Sequence, residues 1–473
     1  MNDRTSVETV IEILRQRFAG RVETGLELRR QHANTMTLLP NEPPDVVVMA
    51  ETTADVAEVV TIAAAHRVPV IAFGAGTSLE GHVNAPFGGI SIDLSRLTRI
   101  VAVHEGDLDA TVEAGVTRVQ LNAHLRDTGL FFPVDPGAET ATLGGMAATR
   151  ASGTNAVRYG TMRDNVVSLT AVLADGSIVS TGRRARKSAA GYDLTRLLVG
   201  SEGTLGIITE LTVRLFGIPE RILAAVVPFN SLTGAAETTM QAIQLGLGLA
   251  RIELLDPLQI RAVNMHNKLG LAETPTLFVE LHGSGAGVAE QMAAFRDIAH
   301  ACGALGFEAA EAEEDRRRLW KARHDAYWAT RAAWPGKRTL ATDVCVPISR
   351  LVECIAETEA DIRRLGLICP IVGHVGDGNF HATPVIDPDR PEDVAALDEL
   401  LDRLAARAIA MDGTCTGEHG VGQGKIGYLA AEAGAVGIAT MRAIKQALDP
   451  LGILNPGKVL GEDRSLPQLP QMS

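Results

Sequence analysis

Residues 137–160 read GAETATLGGMAATRASGTNAVRYG, and sixteen of these 24 residues are Gly, Ala, Ser or Thr. With so few large apolar groups the segment cannot bury itself, so something bulky must be laid against it from elsewhere. Small side chains let backbone come close to a flat ligand, and Gly144, Gly145 and Gly153 tolerate the dihedral angles that such an approach demands. A bound cofactor meets that need. A small-residue helix packed tightly on a neighbouring element meets it as well.

At 473 residues the chain is too long for one core and implies two domains. Its formal charge of −13 excludes nucleic acid as a partner, because phosphate binding needs a basic surface. The local exception is Arg183, Arg184, Arg186 and Lys187, which reads as a solvated hairpin tip; the alternative is a docking point for an acidic electron-transfer partner. Five cysteines (Cys302, Cys345, Cys354, Cys369 and Cys415) are scattered without a CxxC pair. They are expected to be reduced thiols in a cytoplasmic setting, with no iron–sulfur cluster, so electrons taken from a substrate must leave through another molecule. The N-terminal sequence MNDRTSVETVIEILRQRF mixes both charge signs and lacks the apolar core of a signal peptide. No uncharged run is long enough to span a bilayer, so association with the inner face of a membrane would be peripheral.

Along the chain, a helical lead-in precedes a strand at 45–50, an amphipathic helix at 53–66 and a second strand at 70–73. The loop FGAGTSLEGH at 73–82 offers a GxG, but Leu79 stands where a dinucleotide fingerprint needs its third glycine, and VNAPFGG at 83–89 breaks the helix that should follow. Backbone N–H groups of Gly74 to Ser78 could instead line an anion-binding concavity. Short strands at 90–94, 100–104 and 109–114, a helix near 118–127, and a hairpin of 168–173 with 178–180 across Asp175-Gly176 follow. After a strand at 207–215, Gly217 and Pro219 punctuate the chain, and the domain boundary is placed there. Beyond it, strands at 223–229, 250–255, 276–282 and 339–346 alternate with long helices, the pattern of an α+β domain with a mainly antiparallel sheet. Residues 441–448 read as a short amphipathic helix before the NPGK of 455–458.

Residues 373–381 read GHVGDGNFH. With Asp377-Gly378 as a two-residue hairpin loop, His374 falls opposite His381, and the two residues share a face with their Cβ atoms about 5 Å apart. TGEHG at 416–420 offers Glu418 as a third ligand, and two His with one carboxylate leave open positions on a divalent metal. The same spacing also fits two hydrogen-bonded histidines beside a turn. Leu319, Arg323 and Tyr327 fall on one helical face, with Trp320, His324 and Trp328 on an adjacent one that reads as core.

Three separated segments, FGAGTSLEGH, the small-residue stretch and GSEGTLGII at 200–208, resemble in order the flavin-contacting segments of the FAD-linked oxidases that share the vanillyl-alcohol oxidase (PCMH-type) fold. Nearly the whole chain is covered. The resemblance implies an α+β protein with a PCMH-type FAD-binding domain over 1–218 (core about 40–218), a substrate domain with a metal site over 219–424, and a C-terminal segment, 425–473, returning to the FAD domain. Non-covalent FAD would be contacted by Gly74, Ala75, Gly76, Thr77, Ser78 and Gly81 of the first segment. The second would contribute Pro136, Gly144, Gly145, Thr149, Ser152, Gly153 and Tyr159, and the third Glu202, Gly203, Ile207 and Ile208, with Asn455 added from the tail.

GHVGDGNFH and GTCTGEHGVG are similar to the metal and base motifs of the D-2-hydroxy-acid dehydrogenase branch. That similarity implies His374, His381 and Glu418 as ligands of zinc, manganese or iron, His419 as catalytic base, and Arg323 as anchor for the substrate carboxylate. Tyr327 and Asn379 are the further substrate contacts expected. Branch members acting on 2-hydroxyglutarate carry a lysine where this chain has Ala341, and TDVCVPISRL at 342–351 resembles instead the D-lactate dehydrogenase (cytochrome) type. The expected substrate is therefore a D-lactate-like monocarboxylate, oxidised by a monomer or homodimer that hands its electrons to a cytochrome, quinone or electron-transfer flavoprotein. The alternatives are a glycolate oxidase FAD subunit that needs partner chains and a flavin-dependent synthase resembling alkylglycerone-phosphate synthase.

Overall fold

The computed structural model describes residues 4–461. Among them the chain divides into two compact units. One takes the chain up to Ser152, Gly160–Ile218 and the segment from Glu418 onward; the other takes Gly153–Tyr159 and Pro219–Gly417. The last residues of the expected C-terminal segment, 462–473, lie outside the described residues.

In the first unit a small sheet runs in the order Val22–Glu23, Val46–Met49, Ile90–Asp93, Val70–Phe73, its last three strands parallel. The helix Thr53–His66 covers it because Val56, Val59, Val60 and Ala63 recur at the spacing that lines one helical face. A capping box between Thr52 and Asp55 starts that helix, and Arg67 in the left-handed region ends it. A second, antiparallel sheet runs Ile100–His104, Asp109–Glu113, Ile207–Arg214, Val166–Val172, Ile178–Ser180. The small-residue helix Leu143–Thr149 is capped by Thr142, whose Oγ1 accepts from Gly145 N.

Gly144 and Gly145 lie in this helix and use none of the dihedral freedom expected of them. Gly144 is small for a different reason: a Cβ there would stand 2.5 Å from the Cβ of Ala114.

The second unit is built on a seven-stranded antiparallel sheet. Its spatial order is Glu308–Ala310, Arg221–Pro228, Thr276–Gly283, Leu249–Leu255, Ile371–Gly373, Asn379–Ala382, Val344–Cys345. The central strands bury both faces unequally. Ile252, Leu254, Leu277, Val279 and Leu281 enter one large apolar cluster, which also takes in Ala235, Val288, Phe295 and Ile355 from the helices Leu232–Gln244, Gly285–Ala301 and Leu351–Leu365. The alternate positions carry Arg251, Glu253, Glu280 and His282 beside a smaller apolar cluster that includes Leu255 and Phe278.

Two elements differ from expectation. The strand expected at 339–346 is two short strands, Arg338–Thr339 and Val344–Cys345, in different sheets. Between them Asp343 is fully buried and accepts from Asn379 Nδ2, while Thr342 donates its N–H to Ala382 O and its Oγ1 accepts from Ala382 N, so side chains take over part of the ladder. The short helix expected at 441–448 is the end of Ile426–Leu448, kinked at Gly434. Its run of Ala and Gly carries too little contrast in hydropathy for the periodicity to be read.

Candidate functional site

On the polar face of the second unit's sheet, Arg251 stands opposite Glu280, and Glu253 opposite Phe278. The Glu280 carboxylate accepts from Trp320 Nε1 at 2.6 Å and from His282 Nε2 at 2.7 Å. Burial pushes this carboxyl up, but the His282 hydrogen bond and the nearby Arg251 outweigh it and hold Glu280 below its ordinary range. An ionised Glu280 places the His282 proton on Nε2, so Nδ1 accepts from the Tyr159 hydroxyl at 2.8 Å. Arg251 lies over the Trp320 ring and donates from Nε to Asn155 Oδ1. Residues 153–159, of which Gly153 and Tyr159 were expected at the cofactor, thus include Asn155 and Tyr159 engaged by the second unit's own sheet.

Glu253 is 1% exposed and forms a second buried group. One of its oxygens accepts from Arg323 Nε at 2.7 Å and the other from His374 Nδ1 at 2.7 Å. Neither Glu253 nor Glu280 was among the residues expected from sequence. The available signal was a carboxylate inside strands as apolar as LARIELL and TLFVELHG.

The hairpin at 373–381 departs from the expected register. Residues 375–377 form a 3₁₀ turn, Gly378 adopts a left-handed conformation, and Val372 stands opposite His381. Asp377-Gly378 is not a two-residue loop, because Gly378 N bonds to Val375 O and the tight Gly376 packs its Cα against Ile252 and Val157. His374 leaves the strand, yet its ring meets that of His381 edge-on, with centroids 5.5 Å apart. His381 Nδ1 lies 2.7 Å from the Thr342 carbonyl, which only accepts, so its Nε2 carries the lone pair. The Glu253 carboxylate imposes the same tautomer on His374. Two buried imidazoles with their Nε2 lone pairs so assigned fit a divalent metal's ligand set.

The helical face expected over 319–334 is interrupted. One helix ends at His324 and the next starts at Ala326, with Asp325 between them held by Asn267 and Lys321. Arg323 and Tyr327 therefore do not share a continuous face. Trp320 is buried as expected, whereas Trp328 is half exposed, against expectation. Tyr327 packs on Trp328, with Arg331 near both rings, and burial raises its phenol. Asn379 spends both amide hydrogens, on Asp343 Oδ1 and Val344 O, leaving its Oδ1 as the polar atom for any substrate contact.

In the first unit, Gly76 and Gly81 of the loop after Phe73 take positive φ, and a Cβ on Gly74 would stand 2.5 Å from Thr142 Oγ1. Ser78 Oγ, Ser201 Oγ and Asn455 Oδ1 are buried without a hydrogen-bond partner among the described residues. Each such orphan costs about 1–3 kcal/mol unless a ligand completes it, so these three atoms fit FAD. Asn455 Nδ2 ties its own segment to the carbonyls of His82 and Glu202.

Three expected cofactor contacts have other work. The Glu202 carboxylate accepts from Val421 N and Gly422 N and lies 3.1 Å from His82 Nε2. Burial raises that carboxyl, but His82 and the two N–H groups more than offset it and hold it low. It therefore shapes the loop that follows Glu418 and His419. Ile207 and Ile208 point their side chains into two apolar clusters.

Glu418 is joined by one peptide bond to Gly417, whose added Cβ would stand 2.3 Å from Asn379 Nδ2 and 3.0 Å from Asp343 Oδ1. His419 Nδ1 lies 3.8 Å from Glu80 Oε1, and Lys425 Nζ lies 3.5 Å from the same oxygen. In the basic run, Arg184 is tied to Asp107 and Asp109. No helix among the described residues is long and apolar enough to cross a membrane.

Two family models match: the FAD binding domain over residues 44–182 and the C-terminal domain of FAD linked oxidases over 218–459. The chain is 52% identical over 442 residues to "Probable D-lactate dehydrogenase, mitochondrial" of Danio rerio, covering 93% of this chain and 89% of the relative. It is 46% identical to "D-lactate dehydrogenase [cytochrome], mitochondrial" of Arabidopsis thaliana, covering 88% of this chain and 73% of that one. Among solved structures, 4-ethylphenol oxidase from Gulosibacter chungangensis matches over 97% of both chains, with a TM-score of 0.81 at 19% identity, a likeness of fold. The cytoplasmic setting expected from the cysteines is overturned, since these relatives are mitochondrial by name. Unpaired thiols mark a reducing environment and do not distinguish one reducing compartment from another.

Proposed function

The chain belongs to the FAD-linked oxidases, and on that premise we propose that it oxidises D-lactate, or a D-2-hydroxy monocarboxylate of similar size, to the 2-oxo acid and passes the electrons to a cytochrome. The observation that carries this reading is 46–52% identity, over most of both chains, to relatives bearing that name. Ala341 supports a monocarboxylate, because no lysine stands there to receive a second carboxylate.

In this reading His374, His381 and Glu418 hold a divalent metal. The support is the shared Nε2 tautomer of two adjoining imidazoles and a carboxylate one peptide beyond Gly417. A bound FAD would supply a hydride acceptor for the substrate carbon, and a divalent metal held by these three residues would supply Lewis-acid chemistry. His419 removes the hydroxyl proton, and the Glu80 carboxylate at 3.8 Å favours the imidazolium that results. Arg323, held at Nε by Glu253, offers its terminal nitrogens to the substrate carboxylate.

The test is anaerobic mixing of the FAD-loaded protein with D-lactate, L-lactate, glycolate and D-2-hydroxyglutarate, with and without chelator, following flavin absorbance. Bleaching by D-lactate that chelation abolishes is the expected result. Bleaching by glycolate alone would move the assignment to a glycolate oxidase subunit, and no net bleaching by any hydroxy acid would favour the synthase chemistry.

A further inference from the structure

We infer that Glu253 is a positioning residue that couples the metal site to the substrate anchor. The inference deepens the reading above and rests on it. Glu253 sits in the central strand Leu249–Leu255, with Ile252 and Leu254 directed into the apolar core and Phe278 opposite it. An apolar residue would be the stabilising choice at such a position, since a buried carboxylate is tolerated only when its oxygens are fully engaged. Both are engaged, and by two functional groups: Arg323 Nε on one oxygen and His374 Nδ1 on the other, each at 2.7 Å.

These bonds do two things. The bond to His374 fixes the ring's tautomer and orientation and makes Nε2 a stronger donor to a cation. The bond to Arg323 holds the guanidinium by its Nε edge and turns the fork in one direction. Because one planar carboxylate serves both, a shift at either partner is felt by the other, and metal affinity and substrate affinity become linked.

The His282–Glu280 pair resembles this arrangement, but the group it engages is the Tyr159 hydroxyl, which is assigned to neither metal nor substrate. Glu253, by contrast, joins the two assigned groups.

Two variants test the inference on FAD-loaded protein. Manganese affinity is measured by calorimetric titration of the chelator-stripped protein, and KM and kcat for D-lactate are measured separately after saturating manganese is restored. Glu253→Ala removes both bonds and is expected to weaken manganese binding about 10–100-fold and to raise KM by at least about tenfold. Glu253→Gln preserves shape, but an amide oxygen accepts from only one of the two donors while the amide N–H₂ faces the other. It is expected to split the phenotype, with either manganese affinity or KM shifting and the other staying within about threefold.

Glu253→Gln keeps the test alive if the alanine variant does not fold, and a loss of folding alone would not divide the two readouts. Parent-like manganese affinity and KM in both variants would overturn the inference. So would equal loss of both properties in Glu253→Gln with FAD content reduced in step, the mark of a structural role. If the parent protein itself binds no manganese yet oxidises D-lactate, the metal reading fails first, and the inference falls with it.

Discussion

The imidazoles of His374 and His381 meet edge to face, 5.5 Å between centroids, although the strand register sets Val372 and not His374 opposite His381. The 3₁₀ turn at 375–377 achieves this by lifting His374 out of the ladder. His374→Ala removes one of the proposed ligands without touching the first unit's core. The variant is expected to keep its FAD, to lose bound metal, and to fall at least about 100-fold in activity. Elemental analysis beside flavin absorbance checks this, and full turnover in a metal-free variant would end the metal reading.

His419→Asn keeps a polar side chain but removes the proposed base. Substrate binding should persist while flavin reduction slows by about 10²–10⁴-fold. Stopped-flow reduction under anaerobic conditions measures it, and a normal rate would take the proton-accepting role away from His419.

Gly144→Ala places a methyl group 2.5 Å from the Ala114 side chain. Overpacking of this kind costs about 1–3 kcal/mol and should displace the helix Leu143–Thr149. The expected outcome is a lower melting temperature together with weaker FAD retention, read from thermal unfolding and from the flavin lost on gel filtration. An unchanged melting temperature would mean that the helix shifts freely on its sheet.

Asp256 caps the helix Pro257–Asn267 through Gln259 N, and burial raises its carboxyl from 3.8 to about 7. A carboxyl raised on folding favours the folded state when protonated. Its stabilising contribution is complete below its ordinary pKa and is lost as pH rises through about 7. Asp256→Asn keeps the cap and removes the titration. Relative to the parent, the variant should therefore gain stability between about pH 4 and pH 8, by an amount on the order of a few kcal/mol. Urea unfolding at the two pH values checks the sign; a constant difference would mean that this carboxyl does not titrate in that window.

Where local signals were strong, the fold was legible residue by residue. The helix Thr53–His66 has both its capping box and its apolar stripe in the sequence, and Val70–Phe73 and Ile100–His104 are short apolar runs with Gly74 and Gly106 close behind them. The proximity of His374 and His381 was legible too, but through a turn of the wrong kind, because Asp-Gly serves a 3₁₀ turn as well as a tight hairpin. Glu253 and Glu280 stayed hidden, since a charge alternating with Leu and Ile reads as a solvent face. Only the sheet's extent reveals these strands to be central. The helix Ile426–Leu448 was mostly missed, because Ala and Gly give its faces no contrast.

Residues 153–159 belong to the second unit although the chain on both sides of them belongs to the first. From that loan Asn155 meets Arg251, and Tyr159 meets His282. A cut at Ile218 would thus not yield two independent modules. A chimera that borrows the later half from a related oxidase inherits Arg251 and His282 without their companions unless this heptapeptide is exchanged along with it. Recombination between relatives at the apparent boundary would part Arg251 from Asn155 and His282 from Tyr159, a penalty that the boundary itself does not reveal.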